Sequence, residues 1–218
     1  MAIPRAKLMR SYTTDEMLDA LKLRRMDVLA LIPVGSRVYG TAHARSDVDS
    51  LVILRQSRDG HALLRGTLKD KTHVDAVVQT EAMLEQALAS GSVFAWEAVS
   101  VPSERAWIRW PKKLPKRDAR AVAQSAHARC QSDLSWLTRR FAESPAVARR
   151  RLFHAVRVLG FAAQIISYGS VIDFACANAL DAALRQDQSA DADEILSVFA
   201  QELVTATASL DRALAEAR

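Results

Sequence analysis

The chain has 218 residues, half of them hydrophobic, and a formal net charge of +5 at pH 7. This composition excludes wholesale disorder and leaves room for one large domain or two small ones. No apolar run approaches the roughly 18 residues that span a bilayer, residues 1–10 lack the apolar stretch of a signal peptide, and two cysteines indicate no disulfide framework. We therefore expect a cytoplasmic protein with no membrane partner. The basic excess weakly favours a polyanionic partner and is equally typical of an ordinary solvated surface.

The first half of the chain mixes helix and strand signals. Thr13 and Glu16 have the spacing of a capping box, which predicts a helix from there to about Arg25. Two apolar, β-branched runs predict buried strands at 28–34 and 48–54.

Between these strands, residues 36–41 predict a short turn or helix. Residues 55–71 are polar and contain two glycines, so we expect a long connection with at most a short element around 62–64. Beyond it, the pattern predicts a strand at 73–78, a helix capped by Thr80, a short helix through 96–99 and a last strand at 106–110.

A segment with two prolines and four cations, residues 110–117, indicates a domain boundary. Everything after it has helical periodicity and no strand signal. The expected division is a first domain over 1–111 and an all-helical domain over 112–218. The predicted helices of the second part are 118–141, 145–168, 172–184 and 192–217.

Candidate chemistry concentrates around the first two strands. Gly35 and Ser36 follow the first strand at a helical turn, where glycine permits close approach of a ligand and free amides favour phosphate. After ten further residues come Asp47 and Asp49, which are two apart and so leave the same face of a strand. Two adjacent carboxylates repel each other unless a cation lies between them, and oxygen ligands suit Mg²⁺ or Mn²⁺.

A third carboxylate, Asp75, lies within the next predicted strand. A charge inside an apolar strand is costly unless it is paired or bound to a metal. If this strand lies beside the strand of Asp49, the three carboxylates form one metal site. A looser interpretation, with an ordinary loop at Gly35 and solvated acids in a turn, explains each motif alone but not their joint order.

These residues together resemble the DNA polymerase β-type nucleotidyltransferase superfamily. The pattern is Gly-Ser-Arg-x-Tyr-Gly at 35–40, Ser-Asp-x-Asp at 46–49, and a later strand aspartate at 75. The nearest group is that of predicted bacterial and phage nucleotidyltransferases with a helical C-terminal domain. The resemblance covers residues 28–78 well and the helical half only in general character. It departs at Ser50, where the family usually has an apolar residue, which affects strand packing and not the ligands.

The resemblance implies an α+β fold, with a small mixed sheet and helices followed by an all-α domain. It also implies that Asp47 and Asp49 bind two metal ions, that Asp75 binds the catalytic one and assists deprotonation, and that Gly35 and Ser36 hold the β- and γ-phosphates. The cofactor is then Mg²⁺ or Mn²⁺, and the donor is a nucleoside triphosphate such as ATP.

Further candidates for triphosphate contact come from residue type and position. Arg37 and Ser46 flank the turn and the acids, and a surface arginine with a turn-capping serine is the competing interpretation. In the second half, Arg150, His154 and Arg157 recur at helical spacing and predict a polar stripe that faces the nucleotide. A solvated helix face explains the same stripe.

Two functions from different classes remain open. The first is an enzyme that transfers a nucleoside monophosphate to a hydroxyl of an RNA 3′ end, a protein or a small molecule and releases pyrophosphate. The second is an interaction protein of a toxin–antitoxin type module that acts mainly through binding. The three aspartates favour the enzyme, while the acceptor, the preferred triphosphate and the oligomeric state cannot be read from the sequence.

Overall fold

The computed structural model describes residues 12–56, 62–140, 145–186 and 192–217. The chain divides into two compact units, one of residues 1–87 with 98–114 and the other of residues 88–97 with 115–218. Within the described ranges, no helix combines the length and the hydropathy needed to cross a membrane.

The first unit is built on a four-stranded mixed sheet, which confirms the predicted α+β class. The strands are β1 (Val28–Val34), β2 (Val48–Leu54), β3 (Ala62–Thr67) and β4 (His73–Thr80). Their spatial order is β1-β2-β4-β3. The pairing is antiparallel between β1 and β2, parallel between β2 and β4, and antiparallel between β3 and β4.

Helix α1 (Thr14–Leu21) packs its apolar face onto this sheet. The predicted capping box is present, because the Thr13 hydroxyl accepts from the Glu16 amide at 3.2 Å and the Glu16 carboxylate accepts from the Thr13 amide at 2.8 Å. The buried residues of the helix each contribute about 1.5–3 kcal/mol by leaving water. The helix ends earlier than the expected Arg25, because Lys22 adopts the left-handed conformation with φ of 55° and stops the helical turn.

Strand β3 corrects the expectation of a long connection over 55–71. It pairs with β4 along its whole length and so takes the sheet edge. Gly66, which in the sequence favoured a loop, lies under α1, where a Cβ would overlap the Ala20 carbonyl. The glycine therefore lets the helix backbone approach the strand, and it does not mark a turn.

The predicted last strand at 106–110 is reduced to a single bridge. Ile108 exchanges backbone hydrogen bonds of 2.8 and 3.0 Å with Leu31 of β1, and its neighbours do not continue the ladder. The shorter helices of the N-terminal half are α2 (Ser36–Tyr39), α3 (Glu81–Ala89) and α4 (Val93–Ser100). The Thr80 hydroxyl caps α3 as expected, at 3.2 Å from the Met83 amide.

The second unit is helical in its described part, as expected. Its helices are α5 (Ala119–Arg140), α6 (Pro145–Tyr168), α7 (Asn178–Gln186) and α8 (Ala192–Glu216). Helix α6 packs against both α5 and α8 and buries large side chains such as Leu152, Phe161 and Ile165. Helix α7 starts later than the predicted residue 172, because the Gln164 side chain accepts from the amides of Ile172 and Asp173 and holds that segment outside a helix.

Candidate active site

The turn after β1 is shaped by a glycine that no other residue replaces without strain. Gly35 has φ of 76° and ψ of −159°, a region essentially restricted to glycine. A Cβ at this position would lie 3.0 Å from the Asp49 Cβ and would overlap the Asp49 carboxylate. The Asp49 carboxylate of β2 therefore packs directly against the turn at which α2 begins.

The sheet register brings two of the three predicted acids side by side. Asp49 of β2 and Asp75 of β4 are direct partners in the parallel pair, so their side chains leave the same face. Asp47 directly precedes β2 and is exposed, whereas the other two are partly buried. The turn after β1 meets this end of the sheet, because Val34 pairs with Asp49.

A cation missed by the sequence reasoning lies beside the third acid. Arg65 of β3 is the antiparallel partner of Asp75, and its Nε lies 3.6 Å from the Asp75 Oδ1. The sequence predicts a connection over this segment, because Ala-Leu-Leu-Arg-Gly-Thr has no clear alternation of apolar and polar residues. The alternating exposure of Leu63, Arg65 and Thr67 is visible only in the folded edge strand.

Arg37 holds the backbone that leads into β2. Its Nη2 donates to the Ser46 carbonyl at 2.7 Å, and its Nε donates to the Asp47 carbonyl at 3.1 Å. The Arg105 guanidinium in turn donates to the Arg37 and Val38 carbonyls at 3.4 and 3.3 Å. Both arginines thus fix the loop between α2 and the aspartates, and sequence reasoning missed Arg105.

Ser46 closes a local turn before the acids. Its hydroxyl accepts from the His43 amide at 2.9 Å, and its own amide donates to the His43 carbonyl at the same distance. The His43 ring in turn accepts from the Arg45 amide at 3.2 Å. This arrangement matches the turn-capping interpretation of Ser46, and its contact with triphosphate stays a prediction.

The donor set of this end of the sheet fits a hard divalent cation. Asp47, Asp49 and Asp75 offer only carboxylate oxygens, the ligands that Mg²⁺ and Mn²⁺ prefer. In the described ranges, however, no three acidic, histidine or cysteine side chains are already arranged as a metal site. The backbone thus places Asp49 beside Asp75, and closure of all three around a cation requires side-chain movement.

The three predicted nucleotide contacts of the helical unit differ in environment. Arg150 is exposed, His154 is partly buried, and Arg157 is only 4% exposed. The Arg157 Nη2 approaches the His154 Nδ1, and its guanidinium lies over the Phe153 ring, 4.9 Å from the centroid. Burial, followed by the neighbouring arginines, lowers the pKa of His154 to about 3. These residues therefore form no continuous exposed stripe, and their role in nucleotide binding stays a prediction.

The first half of the chain, which carries the candidate site, matches a known protein family. Residues 15–114 match the family model of the nucleotidyltransferase domain. This stretch contains the Gly35 turn, the three aspartates and every strand of the sheet. The predicted resemblance to the polymerase β-type nucleotidyltransferases is confirmed over these residues.

A solved structure shows a weaker similarity. It is described as a nucleotidyltransferase-like protein from Exiguobacterium sibiricum 255-15, and it is 17% identical over 88% of this chain and 70% of its own. The TM-score is 0.29, which supports no comparison of individual residues. No curated protein was found to match the chain.

Proposed function

We propose that this chain is a metal-dependent nucleotidyltransferase that moves a nucleoside monophosphate from a triphosphate to an acceptor hydroxyl. The observation that carries the proposal is the register of the sheet, which sets Asp49 beside Asp75 with Asp47 directly before β2. The match of residues 15–114 to the nucleotidyltransferase domain supports the same reaction class.

In the proposed reaction, the acceptor oxygen forms a bond to the α-phosphorus and the bond to the pyrophosphate oxygen breaks. When bound, Mg²⁺ or Mn²⁺ supplies positive charge that offsets the charge of the triphosphate and of the leaving pyrophosphate. Asp47, Asp49 and Asp75 would hold this cation, and Asp75 would also accept the proton of the acceptor hydroxyl, as the resemblance implies. Gly35 and Ser36 would hold the β- and γ-phosphates, as the resemblance implies, and the missing Cβ at Gly35 leaves room for the Asp49 carboxylate beside the turn.

The acceptor end of the site is open in the first unit. Leu63 is 54% exposed and Arg65 has a side chain that is 76% exposed, and both belong to the edge strand beside Asp75. A hydroxyl of an RNA 3′ end, a protein or a small molecule has access from this edge. The order across the sheet thus favours triphosphate near β1 and acceptor near β3.

Transfer of label from the α-phosphate tests the proposal. The protein is incubated with each of the four α-³²P nucleoside triphosphates, Mg²⁺ and a cell extract, and the product is divided into nucleic acid, protein and small-molecule fractions. We expect labelled product in one fraction, and we expect Asp49→Asn to lower it by more than about 100-fold, since it removes a direct metal ligand. Asp19→Asn is the matched control, because Asp19 is an exposed aspartate of the same unit away from the site.

Two results would contradict the proposal. Equal transfer by Asp49→Asn and wild type would remove the assigned role of the carboxylates. Absence of product with every triphosphate, together with recovery of a stable protein complex, would favour the interaction protein of a toxin–antitoxin type module.

A further inference from the structure

Asp75 lies between two groups of opposite charge. On one side its neighbour in the parallel pair is Asp49 of β2, and on the other its antiparallel partner is Arg65 of β3. When no cation is bound, the Asp75 carboxylate is therefore repelled by Asp49 and attracted to Arg65 at the sheet edge.

The distance between Arg65 and Asp75 is short enough for electrostatic attraction and too long for a firm hydrogen bond that would fix the Asp75 carboxylate. The Nε–Oδ1 distance of 3.6 Å exceeds the roughly 2.7–3.2 Å of a typical N–H···O hydrogen bond. The two side chains are 76% and 38% exposed, so water screens their attraction. Such a pair is readily exchanged for a stronger partner.

We propose that Arg65 is a positioning residue that serves as the internal counter-ion of Asp75 and is displaced when a divalent cation binds. The inference rests on the proposed function, because it takes Asp75 as a ligand of that cation. In the metal-free protein, Arg65 offsets the repulsion between the two neighbouring carboxylates. A cation shared by Asp49 and Asp75 then competes with Arg65 for the same carboxylate oxygens.

Cations on edge strands often have a simpler purpose, which is to prevent pairing with another sheet. A residue serving only that purpose needs no particular partner. Arg65 instead stands directly opposite the one aspartate of β4. The two explanations differ in one measurable respect, namely whether removal of the arginine changes the affinity for the cation.

Mn²⁺ alone, without triphosphate, is the appropriate probe, and its free concentration is read from the electron paramagnetic resonance signal. We expect Arg65→Met to lower the Mn²⁺ Kd about two- to fivefold at low salt, the range for an exposed pair, and Arg65→Lys to stay near wild type. Salt of about 0.5 M should reduce the difference, because it screens the pair that competes. Arg55→Met is the matched control, since Arg55 is exposed and follows β2 at the end away from Asp49.

The coupling to Asp75 completes the test. In an Asp75→Asn background, Arg65→Met should no longer change the Mn²⁺ Kd, because the shared ligand is gone. Equal Kd values for Arg65→Met and Arg55→Met would overturn the inference and leave the proposed function standing. If neither wild type nor any variant binds Mn²⁺, the inference and the metal requirement both fall. If the Kd shift is present without nucleotidyl transfer, only the proposed activity falls.

Discussion

The two units use charged side chains in opposite ways. At the end of the sheet, the acids are exposed or partly buried, and Asp75 forms a loose ion pair with Arg65. In the helical unit, Asp133 is 1% exposed and Arg157 is 4% exposed, so the charge is enclosed by protein. Exposed charge is available to a ligand, whereas buried charge is committed to the structure around it.

Asp133 shows how the helical unit satisfies a buried charge. Its carboxylate accepts from Arg129 of the same helix at 3.2 Å and from Arg151 of α6 at 2.8 Å. The Arg151 guanidinium also lies over the Trp136 ring, 4.4 Å from the centroid. This network ties α5 to α6, so we expect it to stabilise the fold and to play no direct part in chemistry.

Removing the buried acid should produce the largest effect on stability. Asp133→Ala deletes one charge-assisted hydrogen bond within α5 and one between α5 and α6, and we expect a loss of about 2–4 kcal/mol in the free energy of unfolding. Urea denaturation of the full chain measures it. Asp49→Asn is the comparison variant and should leave the unfolding free energy nearly unchanged while removing activity. A stable Asp133→Ala protein would mean that the contrast between the units is false.

A substitution at Gly35 should lower both the stability of the fold and the rate of nucleotidyl transfer. Gly35→Ala forces a side chain into a glycine-only conformation and against the Asp49 carboxylate. We expect a loss of about 1–3 kcal/mol in stability and a larger proportional loss of nucleotidyl transfer. A melting curve and the labelling assay measure the two. Gly169→Ala, with φ of 80° in the helical unit, is the control for backbone strain and should lower stability alone. Equal activity of the two variants would contradict a functional role for the turn.

His154 predicts a dependence of stability on acid pH. Its pKa is lowered to about 3 in the folded chain, first by burial and then by the arginines around it, whereas the unfolded value is 6.5. Between pH 6.5 and 3, His154 therefore binds a proton in the unfolded state and stays neutral in the folded state. The free energy of unfolding falls as the pH drops through this range. We expect a loss of about 2 kcal/mol between pH 6.5 and 5 from this group. His154→Asn should flatten that part of the profile, and an unchanged slope would contradict the assignment.

Sequence patterns determined the parts of the fold whose causes are local. The strands 28–34 and 48–54 and the start of α6 at Pro145 were predicted with the observed bounds, because an apolar run or a first-turn proline defines them. Strand β3 was not predicted, because the exposed Arg65 and the glycine of this edge strand are residue types that are also common in connections. Its pairing with β4 and its packing under α1 are tertiary effects that no short window reveals.

The same distinction holds for the candidate site. The joint order of Gly35, Asp47, Asp49 and Asp75 was readable, because each residue is defined by its place on a strand or turn. The contact between Arg65 and Asp75 depends on a strand order that sequence spacing does not specify. The burial of Arg157 could not be predicted either, because helical spacing alone places it on the same face as Arg150.

Arg37 provides the test with the smallest expected effect at this end of the sheet. Its guanidinium donates to the Ser46 and Asp47 carbonyls, so a role in positioning the acids should appear in kcat and not in triphosphate affinity. Arg37→Lys keeps the charge and loses the two-pronged geometry, and we expect about a fivefold lower kcat, equivalent to roughly 1 kcal/mol. Isothermal titration with a non-hydrolysable triphosphate measures the affinity, and Arg37→Ala separates charge from geometry. If Arg37 instead contacts triphosphate, Arg37→Ala should weaken binding much more than Arg37→Lys, with kcat nearly constant.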